Sequence, residues 1–343
     1  MNIKDDFRAV VIGGTGTFGH EMVKQLLLDS RFKEIIVFSR DEFKQMKMKE
    51  KIFNDENFFD VIRENMRVKE RLSFIIGDIR DKNKLLGVFS FVDIVIHAAA
   101  MKNIVTCESN PFEAIETNII GAKNIIDAAI YNNVKRVIGI STDKAVEPIN
   151  LYGNTKACME KLFIDANFKY YKTVLYNTKF SIVRYGNVIN SRGSVIPIWK
   201  KQKREGKKLL LTDEKMTRFL IEIKSAVNFV KWVIYNMKGF EVFIPRMQSI
   251  NMYNLCKMIA EDDESIEIVG IRPGEKLHET LISGMQHDKK ILYCDDKYIV
   301  LPKCIGNTYE GFEEIVERNY EYSSINNFDW VSNEKMREII TND

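Results

Sequence analysis

Cysteine is scarce in this sequence, and long apolar runs are missing. The 343 residues include five cysteines, and because they are odd in number and widely scattered, neither a disulfide framework nor a Cys-x-x-Cys metal site is indicated. No apolar segment reaches the roughly 18 residues of a membrane-spanning helix, and no signal-peptide pattern is visible. We therefore expect no metal, no export, no membrane span and reduced thiols in a cytoplasm. The cysteines are Cys107, Cys158, Cys256, Cys294 and Cys304.

An excess of charge of one sign is also missing. Lys and Arg together number 51 and Asp and Glu 48, which gives a formal net charge of +3, and both signs are mixed along the chain. Such a balance argues against nucleic acid as the main partner. The densest basic run, residues 200–208, is interpreted as a solvated helix end and is assigned no function.

Short apolar runs rich in Val and Ile alternate with longer amphipathic or charged segments in the first half of the chain. Continuous apolar runs are typical of strands buried on both faces of a parallel sheet. The alternation of strands and helices therefore predicts an α/β fold with a doubly wound parallel sheet. The six predicted strands cover residues 9–12, 35–38, 72–76, 92–96, 134–140 and 180–183.

A glycine-rich turn, GGTGTFG, follows the first predicted strand. Glycines permit a tight turn and let backbone amides approach a pyrophosphate at a helix N-terminus, whose partial positive charge favours it. The position of the turn between a strand and a helix predicts a dinucleotide site. Its predicted cofactor-binding residues are Gly13, Thr15, Gly16, Thr17, Phe18 and Gly19.

The end of the second predicted strand favours NADP. NAD-specific proteins usually place there an acid that bonds the ribose 2′-hydroxyl, whereas this chain has Ser39 and Arg40. A hydroxyl and a guanidinium suit a 2′-phosphate. Asp41, one residue later, leaves NAD open as an alternative.

The ends of the third and fourth predicted strands complete the cofactor prediction. Asp78 is placed to accept from an adenine amine, and the small residues after the fourth strand leave room for the cofactor. His97 is interpreted as a packed strand-end residue rather than a ligand. The small residues are Ala98, Ala99 and Ala100.

After about residue 190 the rhythm changes to short strands and turns, with helix patterns at 225–237 and 252–260. We predict an NADP-binding domain of residues 1–190, to which 219–245 return, and a smaller C-terminal substrate lobe of residues 191–218 and 246–343. The charged stretch 42–71 is long for one crossover and is predicted to be a helix with a surface insertion.

The segment STDKAVEPINLYGNTK combines a Tyr-x-x-x-Lys pair with an acid and an amine upstream of it. Tyr152 and Lys156 share one helix face, and a lysine one turn from a tyrosine favours the phenolate that a general base requires. Such a pair alone indicates simple hydride transfer. Asp143 and Lys144 have no role in that reaction, so their presence indicates further proton transfers.

These residues belong to longer stretches through which the chain resembles the extended short-chain dehydrogenases/reductases. Within that superfamily it resembles the inverting UDP-N-acetylglucosamine 4,6-dehydratases that begin pseudaminic acid synthesis. The resemblance spans nearly the whole chain, and Thr-Asp-Lys before Tyr-x-x-x-Lys is its most specific part. The matching stretches are GGTGTFG, FSRDEFKQ, GDIRD, HAAAMKNI, NPFEAIETNIIGA, STDKAVEPINLYGNTK, RYGNVINSRGSVIP, LTDEKMTRF, GIRPGEKLHE and YSSINNFDW.

The resemblance implies a reaction in which the acid and the amine of the segment act together with the Tyr-x-x-x-Lys pair. Tyr152 would take the 4-hydroxyl proton while hydride passes from C4 to NADP; Lys144, if neutral, would then remove the C5 proton. Asp143, if protonated, would protonate the departing 6-hydroxyl, and the hydride would return to C6. The product would be a UDP-2-acetamido-2,6-dideoxy-hexos-4-ulose. The implied catalytic residues are Thr142, Asp143, Lys144, Tyr152 and Lys156.

The resemblance also implies binding residues, partners and a role. The implied substrate is UDP-N-acetylglucosamine, and the implied role is in polysaccharide or flagellin glycosylation. The implied assembly is a homo-oligomer, either a dimer or a hexamer, formed through helices around 111–132 and 152–167. Beside those named above, the implied cofactor-binding residues are Lys44, Ile79, Lys102, Tyr152 and Lys156. The implied substrate-binding residues are Asn187, Val195, Thr212, Arg218, Arg272 and Glu275.

Three alternatives remain open at this point. A retaining 4,6-dehydratase would use the same residues without inverting C5. A nucleotide-sugar 4-epimerase needs Tyr152, Lys156 and the cofactor but has no use for Asp143 and Lys144. A non-catalytic NADP-sensing protein usually loses the tyrosine or the lysine of the pair, and both are present here.

Overall fold

The computed structural model describes residues 6–54, 68–171, 177–191, 193–285, 288–317 and 319–341. The chain divides into two compact units. Unit 1 comprises Met1–Ile140, Cys158–Val183 and Val227–Glu241, and unit 2 comprises Ser141–Ala157, Arg184–Ala226 and Val242–Asp343. Residues 141–157 thus belong to unit 2, although the sequence-based boundary near 190 grouped them with the first domain. The division into a cofactor domain and a substrate lobe stays a prediction.

Unit 1 is built around a parallel sheet whose strands lie in the order β6-β5-β4-β1-β2-β3. All six predicted strands are present, which confirms the doubly wound α/β fold. The last residues of β5 and β6 already belong to unit 2. The strands are β1 (Phe7–Ile12), β2 (Phe32–Ser39), β3 (Leu72–Ile76), β4 (Ile94–His97), β5 (Arg136–Thr142) and β6 (Lys179–Tyr185).

Helices connect these strands because their apolar residues recur at helical spacing. In α1 the buried residues include Met22, Val23, Leu26 and Leu27, which form one stripe toward the sheet. Asp81 caps α4 by accepting from the backbone N–H of Lys84 at 2.9 Å. The helices are α1 (Thr17–Leu27), α2 (Glu42–Asn54), α3 (Val68–Arg71), α4 (Lys82–Val88), α5 (Ile104–Ser109), α6 (Pro111–Ile115), a π-helical turn (Glu116–Ile120) and α7 (Gly121–Tyr131).

The order of the strands reverses between β1 and β4, which pair in parallel with Ile12 opposite His97. In open α/β sheets, ligands bind at the carboxyl ends of the strands where this reversal occurs. The segments that follow β1 and β4 are therefore the ones positioned for a ligand. They are the glycine turn and the alanines after His97.

Two long helices contain residues of both units. They are α8 (Leu151–Tyr171) and α10 (Ile223–Asn236), and α10 confirms the helix predicted near 225–237. The charged stretch 42–71 begins with α2, as predicted, whereas the proposed insertion falls largely on residues 55–67, which lie outside the described residues.

Unit 2 consists of short strands and helices around its own apolar cluster. Trp199, Leu209 and Leu255 are among its buried members, and the helix predicted at 252–260 is confirmed. The helices are α9 (Val195–Arg204), α11 (Met252–Ala260) and α12 (Asn333–Thr341). The strands are β7 (Asn187–Val188), β8 (Leu209–Leu211), β9 (Thr217–Ile221), β10 (Val242–Pro245), β11 (Gln248–Asn251), β12 (Ile266–Ile268), β13 (Thr280–Ile282), β14 (Lys289–Cys294), β15 (Lys297–Pro302), β16 (Glu313–Glu314) and β17 (Tyr322–Ser323).

The strands of unit 2 form several small arrays. Strands β10, β14, β15 and β16 pair antiparallel in the order β16-β14-β15-β10. Strand β9 lies between β11 and β7, β8 pairs with β12, and β13 pairs with β17. Across the part of the chain that the structure describes, no helix has the length and apolar character needed to cross a membrane.

Candidate active site

The glycine turn of unit 1 leaves no room for side chains. Gly13 has a φ of 78°, and a Cβ there would lie 2.8 Å from the backbone nitrogen of Ala99. A Cβ on Gly19 would lie 2.5 Å from the Cα of Gly14. The backbone of the turn is thus closely packed against the segment after β4 and leads into the N-terminus of α1, an arrangement that accepts a pyrophosphate.

The end of β2 is held by a glutamine that the sequence analysis did not single out. Gln45 Nε2 donates to Ser39 Oγ at 3.0 Å and to the backbone oxygen of Ile75 at 2.9 Å, and both Ser39 and Gln45 are buried. Because the Ser39 hydroxyl accepts in this bond, its O–H can still donate to a ligand. Gln45 therefore fixes the position of the predicted 2′-phosphate contact.

Arg40 and Lys44 both have carboxylate neighbours. Arg40 Nη1 lies 3.6 Å from Asp78 Oδ2, and Lys44 Nζ lies 2.7 Å from Asp41 Oδ2. Burial acts to raise the pKa of Asp78, but hydrogen bonds and charge from Arg80, together with the charge of Arg40, lower it below its ordinary value. Asp78 is therefore an anion, available as a hydrogen-bond acceptor.

The remaining cofactor residues predicted in unit 1 surround this edge of its sheet. Ile79 is buried, and a Cβ on Gly121 would lie 2.6 Å from its Cδ1. His97 is buried and its ring stacks on Phe163 with centroids 6.4 Å apart, consistent with the predicted packing role. Lys102 is exposed.

We expect Arg40→Asp to weaken NADP binding about 10- to 100-fold while changing NAD binding much less. The substitution removes a charge-assisted bond worth about 1.5–3 kcal/mol, and it places a second carboxylate beside Asp78. Titration of each cofactor against both proteins measures the two affinities. An equal loss for NADP and NAD would contradict the assignment of Arg40 to the 2′-phosphate.

The predicted catalytic segment, residues 141–156, lies in unit 2 and begins at the end of β5. The Thr142 hydroxyl donates to Asp143 Oδ1 at 2.8 Å, and residues 143–145 form a short 3₁₀ turn that brings Lys144 back toward the same carboxylate. Asp143 is fully buried. Its Oδ2 is buried without a hydrogen-bond partner among the described residues.

Lys144 lies among three oxygen acceptors. Its Nζ is 3.0 Å from Asp143 Oδ1, 3.2 Å from Glu279 Oε1 and 3.3 Å from Asn187 Oδ1. Burial lowers the pKa of Lys144, but the charges of Asp143 and Glu279 outweigh burial and raise it above the ordinary value. The side chain is therefore an ammonium in this arrangement, and it must lose a proton before it can act as a base.

Tyr152 and Lys156 project from the first turns of α8. Lys156 is buried and Tyr152 is half-buried. Tyr185, which the sequence analysis did not single out, is a neighbour of this pair: burial raises the pKa of its phenol, and the proximity of Tyr152 raises it further.

Gly153 lies where α8 crosses the backbone of the 3₁₀ turn. A Cβ at this position would overlap the carbonyl oxygen of Lys144 and would lie 3.0 Å from Pro148 Cβ. The glycine in Tyr-Gly-Asn-Thr-Lys therefore lets the tyrosine and Lys144 approach each other through their backbones.

Gly153→Ala is expected to destabilise the protein by about 1–3 kcal/mol, because the added methyl group forces this backbone apart. Denaturant unfolding measures the effect. Gly87→Ala is the matched control: Gly87 lies in α4 and its added Cβ meets no atom within 4 Å, so we expect stability to stay the same or to rise by about 0.5–1 kcal/mol. Equal stability of the two variants would contradict the close approach at Gly153.

The predicted substrate residues also lie in unit 2, and two of them, Arg218 and Glu275, are in contact. Arg218 is buried, and its guanidinium lies 3.4 Å from Glu275 Oε1 and donates to the backbone oxygens of Thr217 and Lys276 at 2.7 and 2.9 Å. Asn187 contacts Lys144, as given above. Val195 begins α9, Thr212 follows β8 and is buried, and Arg272 lies in an exposed turn.

Two bonds link the Arg-Pro-Gly-Glu-Lys turn to the catalytic segment. Lys276 Nζ donates to the backbone oxygen of Val146 at 2.6 Å, and Asn150 Nδ2 donates to the backbone oxygen of Gly274 at 2.7 Å. The Asn150 side chain also accepts from the backbone N–H of Gly153 at 2.8 Å. The segment between Lys144 and Tyr152 is thus positioned by residues more than a hundred positions away in the sequence.

Among the residues that the structure describes, no group of three or more His, Cys, Asp or Glu side chains is placed to hold a metal ion.

The fold, the glycine turn and the Tyr-x-x-x-Lys helix together define an extended short-chain dehydrogenase/reductase. Residues 9–300 match the model of a family described as polysaccharide biosynthesis protein. The chain belongs to this family.

The chain is also similar to individual proteins and to a solved structure. The chain is 41% identical to an inverting UDP-N-acetylglucosamine 4,6-dehydratase of Campylobacter jejuni over 96% of each chain. It is 39% identical to a UDP-glucose 4-epimerase of Rickettsia bellii over 83% of this chain and 80% of that one. The solved structure of Pen from Bacillus thuringiensis has 33% identity and a TM-score of 0.84, with 99% of this chain and 98% of that chain covered.

Proposed function

We propose that the protein is a UDP-N-acetylglucosamine 4,6-dehydratase that inverts C5 and yields a UDP-2-acetamido-2,6-dideoxy-hexos-4-ulose. The observation that carries the proposal is the contact of Asp143 Oδ1 with Lys144 Nζ at 3.0 Å, directly after β5. Loss of water across C5 and C6 needs a base at C5 and an acid at O6, in addition to a group that acts at C4. The Campylobacter jejuni relative supports the same reaction.

In the proposed reaction, each proton transfer is carried out by a different side chain. Tyr152, with Lys156 on the same helix face, takes the proton of the 4-hydroxyl. Lys144, as the amine, takes the C5 proton. Asp143 gives its proton to the departing 6-hydroxyl, and the Thr142 hydroxyl donates to Oδ1 of that carboxyl at 2.8 Å.

A nicotinamide dinucleotide fits unit 1, because the closely packed glycine turn offers backbone amides where a side chain would collide. When bound, it accepts the hydride of C4 and returns it to C6. We propose NADP, supported by Ser39, Arg40 and Lys44 at the end of β2. The other proposed cofactor residues are those of the glycine turn, Asp41, Asp78, Ile79, Ala98, Ala99, Ala100, Lys102, Tyr152 and Lys156.

The proposed substrate contacts are divided between the nucleotide diphosphate and the sugar end. Arg272, exposed in its turn, and Arg218 supply the charge for a diphosphate. Because Arg218 already donates to the backbone oxygens of Thr217, Lys276 and Leu277, it also holds its own segment in place. The full proposed set is Asn187, Val195, Thr212, Arg218, Arg272 and Glu275.

The second candidate is a nucleotide-sugar 4-epimerase, favoured by the Rickettsia bellii relative. An epimerase needs Tyr152 to take the proton of the 4-hydroxyl, but its reaction does not use Asp143 and Lys144. Incubation with UDP-N-acetylglucosamine, followed by mass spectrometry and by NMR at C5, separates the candidates. We expect loss of one water and an inverted C5. An unchanged mass with a new C4 configuration would identify the epimerase, and a retained C5 would identify the retaining dehydratase.

Assembly, location and role complete the proposal. A homo-oligomer, dimer or hexamer, is supported by exposed apolar side chains along residues 111–131, where Phe112 is 81% and Tyr131 is 74% exposed. A cytoplasmic location is supported by the free thiols of all five cysteines. The proposed role is in pseudaminic acid synthesis for polysaccharide or flagellin glycosylation.

A further inference from the structure

Glu279 is a buried carboxylate in unit 2 for which the proposed mechanism has no task. Its Oε1 lies 3.2 Å from Lys144 Nζ and 3.9 Å from Arg218 Nε. Its Oε2 is buried and has no hydrogen-bond partner among the described residues. A buried carboxylate is costly to keep unless a neighbouring charge compensates it, and Lys144 is the nearer of the two cations.

The backbone fixes the position of this carboxylate. The Glu279 N–H donates to Ser324 Oγ at 3.0 Å, and its carbonyl accepts from the N–H of Ser324 at 2.7 Å. Ser324 is itself bonded through its hydroxyl to Thr217 Oγ1 at 2.7 Å. Glu279 therefore has little freedom to move away from Lys144.

An ammonium has three N–H donors, and the structure offers Lys144 three acceptors: Asp143, Glu279 and Asn187. Transfer of one proton from Nζ to Oδ1 of Asp143, which it contacts at 3.0 Å, creates the amine and the acid together, with no change in the number of protons. Glu279 and Asn187 then remain as acceptors for the two N–H groups of the amine.

We propose that Glu279 is a positioning residue for the elimination, which holds Lys144 Nζ beside Asp143 and stabilises the positive charge that forms on Nζ when it takes the C5 proton. This inference rests on the proposed function. In the step, the C5–H electron pair forms the C5–C6 double bond as the C6–O bond breaks. The C5 proton goes to Nζ, and the Asp143 proton goes to the oxygen that leaves as water.

The charged groups around Lys144 determine what removal of Glu279 should do. Asp143 and Glu279 face Lys144 directly, Arg218 approaches the same Glu279 oxygen at 3.9 Å, and Glu275 faces Arg218. Burial raises the pKa of Glu279, whereas the charges of Lys144 and Arg218 lower it, and the contact with Lys144 at 3.2 Å favours the anion. Removing that charge leaves Lys144 with one carboxylate neighbour, so each protonation step in which Lys144 takes part must move to lower pH. Because Asp143 Oδ1 and Lys144 Nζ are 3.0 Å apart, the measured profile belongs to the pair.

The test is Glu279→Gln, which keeps an oxygen acceptor and removes the charge. We expect the pH profile of deuterium uptake at C5, measured in heavy water with UDP-N-acetylglucosamine, to move to lower pH by about one unit or more. The pH profile of C4 oxidation, followed by the absorbance of the reduced nicotinamide in a single turnover, should stay where it is. A merely structural role would slow both reactions without moving either profile.

Two further variants complete the design. Glu279→Asp keeps the charge, so its C5 profile should stay at the pH of the unmodified protein although its rate falls. Glu275→Gln removes a carboxylate that faces Arg218 and not Lys144, so its C5 profile should also stay in place, whatever its rate. An unmoved profile in Glu279→Gln overturns this inference alone. Absence of C5 uptake in the unmodified protein overturns the proposed function, and this inference with it.

Discussion

Lys144→Ala is expected to abolish dehydration and C5 exchange while C4 oxidation continues. The substitution removes the amine that takes the C5 proton, and general base groups typically contribute about 10²- to 10⁴-fold to a rate. Tyr152, Lys156 and the cofactor residues are unchanged, so the first half-reaction keeps its machinery. The structure adds that the change leaves Asp143 and Glu279 buried without their shared cation. Some loss of stability is therefore expected as well.

The measurement for Lys144→Ala is deuterium uptake at C5 together with the absorbance of the reduced nicotinamide in a single turnover. Asp143→Asn is the matched comparison, because it removes the acid and leaves the amine. We expect it to fail at loss of water, and to exchange the C5 proton more slowly than the unmodified protein, because the asparagine cannot take the proton that Lys144 must lose before it acts as a base. Dehydration by Lys144→Ala at a near-normal rate would contradict the assignment of Lys144 as the C5 base.

Tyr152→Phe is expected to stop the reaction at its first step. The phenylalanine ring keeps the shape of the helix face but cannot take the proton of the 4-hydroxyl, so no ketone forms at C4 and the C5 proton does not become acidic. We expect a fall of about 10²- to 10⁴-fold in C4 oxidation, and C5 exchange should fall with it.

The effect of Tyr152→Phe is measured by the absorbance of the reduced nicotinamide in a single turnover and by deuterium uptake at C5. Cofactor titration and unfolding serve as controls, since the substitution should leave both nearly unchanged. Formation of reduced nicotinamide at the rate of the unmodified protein would show that another group takes the 4-hydroxyl proton.

The protonation state of Lys144 could not be predicted from the sequence. The motif Thr-Asp-Lys predicts an acid and an amine as neighbours in the sequence, and the structure places their side chains in contact at 3.0 Å. The second carboxylate, Glu279, stands 135 positions later in the chain. Whether it is buried beside Lys144 depends on the packing of the segment before β13, which no local pattern encodes.

The cofactor end shows a similar limit. The residue types Ser39 and Arg40 at the end of β2 were identifiable because a strand end and a glycine turn stand at a known separation. Gln45 was not, because one glutamine in a charged helix carries no signal. Its role depends on the fold, which brings it to the backbone oxygen of Ile75 on β3.

The sequence by itself determined the six strands of the parallel sheet, the dinucleotide turn and the pairing of Tyr152 with Lys156. Each of these is a local pattern: a continuous apolar run, a strand followed by glycines and a helix, or two residues one helical turn apart. Only the tertiary structure decided which charges surround Lys144, how Asn150 and Lys276 hold the catalytic segment, and why Gly153 must be a glycine. These contacts join residues far apart in the chain, and their energies depend on burial and distance, which are properties of the packed molecule.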